Sequence, residues 1–290
     1  MLMSELRNEL DKIVYGQHHA KNQLLSAILS DIELYKDKKK HCQTNILLYG
    51  PTGSGKTFLV ENLCRIIKIP LFIIDASKLT QTGYAGDKIE NTLETIVRNN
   101  SGNVNISQRA VLFIDEFDKL HLSESSYFHS DIAGLGVQYE LLKLMEGSDY
   151  ILDYNNQRLS FSTKDLIVIC AGAFSHTDLL STDECGHWLK GAGFIDELIG
   201  RFTRFIKLES FSAEDYYQLL ELNLSTVYQQ YKYLLEKHGV TINIRQEDYC
   251  EIVEKAANSS YGIRTINLLL EKLLSDMYYY HIIFEGEKEI

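Results

Sequence analysis

Eight consecutive residues, Gly50-Pro51-Thr52-Gly53-Ser54-Gly55-Lys56-Thr57, fit the spacing G-x-x-x-x-G-K-[ST] of a phosphate-binding loop. Such a loop works only between a buried strand and a helix. Asn45-Ile46-Leu47-Leu48-Tyr49 before it reads as the strand, and Phe58 to Ile67 after it reads as the helix. The glycines let the main chain fold tightly, so that its N–H groups converge on a phosphate. The N-terminus of the helix adds its positive end. Lys56 is placed to reach the β- and γ-phosphates of a nucleotide, and the Thr57 hydroxyl to bind Mg²⁺.

A second stretch completes the pattern. Ala110-Val111-Leu112-Phe113-Ile114-Asp115-Glu116-Phe117-Asp118 is an apolar strand that ends in acids. Asp115 at the strand tip is expected to hold Mg²⁺, directly or through water. Glu116 is expected to orient the attacking water or take its proton. Phosphoryl transfer needs positioned charge more than covalent chemistry, so one Asp and one Glu suffice. The Asp-Glu pair points to ATP hydrolysis by water. The guanine-reading motif N-K-x-D is absent.

With 290 residues, 45% of them hydrophobic and 24% charged, the chain has room for one large and one small globular domain. Its net charge of −11 repels nucleic acid on average. The one basic run, Lys36-Asp37-Lys38-Lys39-Lys40-His41, reads as a solvated loop. No apolar run is long enough to span a membrane, and Met1 to Arg7 lacks a secretory signal pattern. The five cysteines form no C-x-x-C pair and suit a reducing compartment. A cytoplasmic location is expected.

Strand candidates at 45–49, 71–75, 110–114 and 166–170 alternate with helical stretches, and 17–35 has helical apolar spacing. The expected fold class is α/β: a parallel sheet covered by helices on both faces, with ligands at the carboxyl ends of the strands. Beyond about residue 208 the character changes. Helices are expected over 213–238, 246–258 and 263–281, with a short strand at Val240-Thr241-Ile242-Asn243-Ile244. The domain reading is 1–208 for a nucleotide-binding domain and 209–290 for a small helical one.

Several ordered segments resemble the AAA+ ATPases, and within them the ClpX and HslU protein unfoldases. Leu10-Asp11-Lys12-Ile13-Val14-Tyr15-Gly16-Gln17 is similar to the segment whose apolar residues, here Ile13, Val14 and Tyr15, pack on adenine. Thr80-Gln81-Thr82-Gly83-Tyr84-Ala85-Gly86-Asp87 resembles the pore loop, which makes Tyr84 the aromatic that grips a translocating polypeptide. Gly136 to Gly147 is similar to the helix after the acidic strand in ClpX, and Ala171-Gly172-Ala173-Phe174 to the end of the sensor-1 strand. Phe194-Ile195-Asp196-Glu197-Leu198-Ile199-Gly200-Arg201 resembles the box that ends in the arginine finger, and Gly262-Ile263-Arg264 the sensor-2 motif.

The resemblance implies an ATP- and Mg²⁺-dependent unfoldase or remodelling motor, a homo-hexamer acting on unfolded or tagged proteins. Arg201 would act across a subunit boundary and Arg264 from the small domain. Three departures stand out. The chain starts at the AAA+ module without a four-cysteine zinc domain, and no long insertion follows Gly86. The stretch between Phe174 and Phe194 is short and lacks an apolar tripeptide to dock on a peptidase ring, so a ClpP-type peptidase partner is not expected. No residue is assigned as sensor 1. Two rival readings are a nucleic-acid-associated AAA+ motor or loader, and a slow nucleotide-switched scaffold. The acidic charge and the Gly83-Tyr84-Ala85-Gly86 loop weigh against the first, and Glu116 with Arg201 against the second.

Overall fold

The computed structural model describes residues 3–39, 42–79, 88–120, 130–174, 182–222, 225–259 and 261–280. Contacts gather into two compact units. One comprises Met1–Leu10, His18–Gly50 and Lys56–Leu208; the other comprises Asp11–Gln17, Pro51–Gly55 and Glu209–Ile290.

The first unit is built on a five-stranded parallel sheet in the order β2-β3-β6-β1-β7. Its strands are β1 (Asn45–Tyr49), β2 (Leu71–Asp75), β3 (Val111–Asp115), β6 (Ile167–Gly172) and β7 (Arg204–Lys207). Parallel strands covered on both faces must be apolar almost throughout. Accordingly every residue of β1 and β6 is buried, while the edge strands β2 and β7 are half-buried. An antiparallel hairpin, β4 (Asp149–Tyr154) and β5 (Gln157–Ser162), stands apart from the sheet. Its turn residues Asn155 and Asn156 both have left-handed backbones, φ 50° and 63°, as a two-residue hairpin turn requires.

Helices α1 (Met3–Asp11), α2 (His18–Lys36), α3 (Lys56–Ile67), α4 (Ile89–Asn99), α5 (Val104–Ser107), α6 (Ser130–Met145), α7 (Thr182–Gly191) and α8 (Asp196–Ile199) accompany the strands. The core gathers Leu47, Leu93, Leu112, Ile114, Leu141 and Val168 among others. Trp188 packs edge-on against Phe174, ring centroids 5.0 Å apart, at the border of this core.

The second unit is helical: α9 (Ala213–Glu221), α10 (Thr226–Glu236), α11 (Gln246–Ala257) and α12 (Ile263–Tyr279) around Leu220, Ile252, Leu270 and Leu274. A capping box starts α9: the Ser212 hydroxyl accepts from Asp215 N–H while the Asp215 carboxylate accepts from Ser212 N–H. Two sequence expectations are corrected here. The stretch 213–238 is not one helix, because Ser225 opens α10 as a fresh N-cap, its hydroxyl accepting from Tyr228 N–H. Residues 240–244 pair with no strand among the described residues; Ile242 and Ile244 pack instead against the helical core.

Among the described residues, no helix is long and apolar enough to cross a membrane. Cys64, Cys170 and Cys185 are buried; Cys42 and Cys250 are exposed. Burial pushes the Cys64 thiol up to about 12 and raises Cys170 as well.

Candidate nucleotide site

The glycine loop leaves the carboxyl end of β1 and delivers the chain into α3, whose first residue is Lys56. Gly53 and Gly55 have φ of 78° and 90°. At Gly53 a Cβ would lie 2.5 Å from Tyr261 O, within the second unit, so only glycine fits. At Gly55 a Cβ would meet nothing within 4 Å. The loop is therefore a bowl with open space beside Gly55. Ser54 Oγ is buried there with no hydrogen-bond partner among the described residues. Lys56 Nζ reaches back to donate to Gly50 O at 2.7 Å, at the end of β1. Pro51 and Thr52 make the outer turn, closed by Ser54 N–H donating to Pro51 O at 3.2 Å.

Across β6, the acidic strand tip meets the first turn of α3. Thr57 Oγ1 donates to Asp115 Oδ2 at 3.0 Å, so the two residues expected to hold Mg²⁺ are brought together. Glu116 follows directly, exposed, with φ 55°. A non-glycine residue in that region costs about 1 kcal/mol or more and persists only where its surroundings enforce it. Glu116 N–H donates to Asp115 Oδ1 at 2.9 Å, and the next residue, Phe117, is fully buried and stacked on Phe194 at 5.1 Å. The chain is thus pinned on both sides of Glu116. Lys56, the Thr57 hydroxyl, the strand-tip Asp115 and the exposed Glu116 are the residue types that a nucleotide phosphate and its metal require.

Within the second unit, Ile13, Val14 and Tyr15 lie on the same body as loop residues 51–55. Val14 is buried. Tyr15 faces Phe211, ring centroids 6.4 Å apart. Burial and the nearby Asp215 carboxylate raise the Tyr15 pKa. Burial also pushes Asp215 up, but its hydrogen bonds from Ser212 and Tyr15 outweigh this and leave it below the ordinary carboxylate range. Arg264 is exposed in the first turn of α12, next to the Tyr261–Gly262 turn that touches the loop.

Arg201 stands elsewhere. Its carbonyl accepts from Asn45 Nδ2 at 3.1 Å, and Asn45 is the first residue of β1. The glycine loop leaves the other end of that strand, about 16 Å away at strand rise. Arg201 pairs with Glu146. Tyr84, with the whole segment 80–87, lies outside the described residues, as does 175–181 of the short stretch before Phe194.

Three amides have roles that sequence reasoning left unassigned. Gln17 Nε2 donates to Ser54 O at 3.3 Å and to Glu209 O at 2.8 Å, tying the pre-loop segment to the loop. Gln138, wholly buried on α6, donates to Leu120 O and Gly193 O and accepts from Ile195 N–H at 2.9 Å. Asn45 Nδ2 donates to Met145 O at 3.0 Å as well as to Arg201 O. For Gln138 the available signal was an amide placed within an apolar run.

The sequence profile of the AAA domain (Cdc48 subfamily) matches residues 41–205. With more than half of its length matched, the chain belongs to the AAA ATPase family, as a ClpX-like member that hydrolyses ATP. It is 31% identical over 298 residues to the ATP-dependent Clp protease ATP-binding subunit ClpX 2 of Wolinella succinogenes, covering 93% of this chain and 75% of that one. It is 28% identical over 326 residues to the subunit ClpX of Treponema denticola, covering 99% and 79%.

Proposed function

We propose that this protein is an ATP-driven motor that unfolds or remodels other proteins, built as a homo-hexameric ring with its ATP sites at subunit boundaries. The observation that carries the reading is the placement of Arg201. The length of β1 separates its backbone from the glycine loop of its own chain, so its guanidinium serves a second copy. The ClpX names of the relatives support a protein as the substrate.

In this reading Gly50, Pro51, Thr52, Gly53, Ser54 and Gly55 wrap the phosphates, and Lys56 binds the outer two. Thr57 and Asp115 hold Mg²⁺, which when bound supplies positive charge to the transferring phosphoryl group. The Glu116 carboxylate orients the attacking water and accepts its proton. Arg201 of a second copy neutralises charge on the phosphoryl oxygens. Ile13, Val14 and Tyr15 seat the base, Arg264 reports the nucleotide to the helical unit, and Tyr84 grips the polypeptide by aromatic area rather than by sequence. The division into domains 1–208 and 209–290, a cytoplasmic location and action without a ClpP-type peptidase belong to the same proposal.

Sizing with and without ATP, together with ATPase assays plus and minus unfolded protein and plus and minus DNA, tests it. A ring that forms with ATP and turns over faster with unfolded protein is expected. Tyr84→Ala should keep basal ATPase activity and lose unfolding. Salt-sensitive stimulation by DNA alone would move the protein to a nucleic-acid motor, and turnover indifferent to both additions to a switched scaffold. ATP-dependent degradation of a labelled unfolded protein in the presence of a ClpP-type peptidase would remove the peptidase-free part of the reading.

A further inference from the structure

Arg201 has to present a charged group at a defined place, yet it sits on a short loop between α8 and β7. A loop residue holds its position only if something else holds the loop. Here α6 does so, at two points. At mid-helix, Gln138 accepts from Ile195 N–H and donates to Gly193 O, which fixes the entrance to α8. At the far end, Asn45 Nδ2 bridges the last carbonyl of α6, Met145 O, to Arg201 O. Thr203 on the far side of Arg201 donates through both N–H and Oγ1 to Asn45 O, at 2.7 and 2.8 Å. The backbone of Arg201 is therefore bolted to the end of α6 and the start of β1. The residue that follows α6 is Glu146, and its carboxylate takes the Arg201 guanidinium.

The side chains of this ion pair remain 47% and 39% exposed. At that exposure the pair adds little to stability, so its worth lies in orientation. Only Nη2 of Arg201 is engaged by Glu146. The Nε and Nη1 edges make no hydrogen bond to other described residues, which leaves most of the fork for an anion. Beside the pair lies a cavity of about 630 Å³, lined in part by Asn45, Glu146, Lys164 and Arg201, which gives the guanidinium room to point elsewhere when it is not held.

We infer that Glu146 is a positioning residue: it aims Arg201 at the nucleotide of a second copy, so that α6 of one subunit sets the reactivity of the site next to it. This rests on the reading of Arg201 as a residue that acts in trans. A half-exposed carboxylate that grips one edge of an arginine restricts its rotamers without occupying the fork. Ordering of that kind is recovered in the transition state, where a misplaced charge is costly.

The test uses mixed rings of two strongly slowed variants. Arg201→Ala subunits keep a complete glycine loop and acidic tip but supply no guanidinium. Glu116→Gln subunits hydrolyse about 10²-fold more slowly but still supply Arg201. Mixing the two should restore turnover, because each Arg201→Ala site can lie beside a donor. Glu146→Gln is then added to one component at a time. In the Glu116→Gln donor it should lower the restored kcat about tenfold, with little change in KM. In the Arg201→Ala receiver it should change nothing, since that subunit has no guanidinium to aim. A merely structural role for Glu146 would lower the rate equally in both placements and overturns the inference. So does an unchanged or increased rate with the donor variant; an increase would mean that Glu146 sequesters Arg201 rather than aims it. Failure of the two parent variants to complement one another overturns the trans reading itself, and the inference with it. Glu146→Asp in the donor should recover part of the lost rate.

Discussion

The two ends of β1 differ as much as any two places in the molecule, although only five residues separate them. The carboxyl end opens into a loop of left-handed glycines with open space beside Gly55, a buried hydroxyl without a partner, and a lysine that donates to Gly50 O. The amino end is tied down by hydrogen bonds beside an open cavity. Asn45 alone joins α6, Arg201 and Thr203. One end leaves donors unused and is suited to receive a ligand. The other holds its backbone by hydrogen bonds and offers the exposed Arg201 side chain outward. A buried parallel strand is a stiff spacer, so the receiving and offering ends stay a fixed distance apart.

The comparison makes ranked predictions. Lys56→Ala strikes the receiving end and should abolish nucleotide binding, as a fluorescent-nucleotide titration would show; retained affinity breaks the assignment of that end. Arg201→Ala strikes the offering end. It should still bind nucleotide and assemble but lose about 10³-fold in turnover, in the range of an arginine finger. Wild-type specific activity should rise with protein concentration, and a constant rate from a proven monomer would erase the distinction between the two ends. Glu116→Gln should bind ATP normally and hydrolyse it about 10²-fold more slowly, the usual cost of losing a general base; wild-type hydrolysis would show that the strained carboxylate is not the base. Thr203→Val removes both hydrogen bonds of the Thr203 hydroxyl at the amino end, the one it donates to Asn45 O and the longer one it accepts from Asn45 N–H. It should lower stability to denaturant by about 1 kcal/mol and leave nucleotide affinity unchanged; an altered affinity would mean that the two ends are not independent in binding.

The glycine loop and the acidic tip were legible because each is local: eight and nine consecutive residues carry the whole signal. The strands at 45–49 and 110–114 were legible because a parallel sheet buried on both faces leaves its strands almost uniformly apolar. What escaped was short or held from a distance. Strand β7 is only Arg204-Phe205-Ile206-Lys207, with a charge at each end, and among the described residues pairs solely with β1. The β4–β5 hairpin alternates weakly, yet its Asn155-Asn156 turn was a usable sign, since asparagine tolerates the left-handed backbone that both adopt. The ion pair of Glu146 with Arg201 joins residues far apart in the chain, which no local pattern encodes.

The cysteines have a practical consequence. Cys64, Cys170 and Cys185 are shut inside, and the first two are poor nucleophiles because burial disfavours the thiolate. Cys42 and Cys250 are at the surface, one in each compact unit. A thiol-reactive dye pair should therefore label those two positions without any engineering, and energy transfer between them would follow the two units through a cycle of nucleotide binding and release.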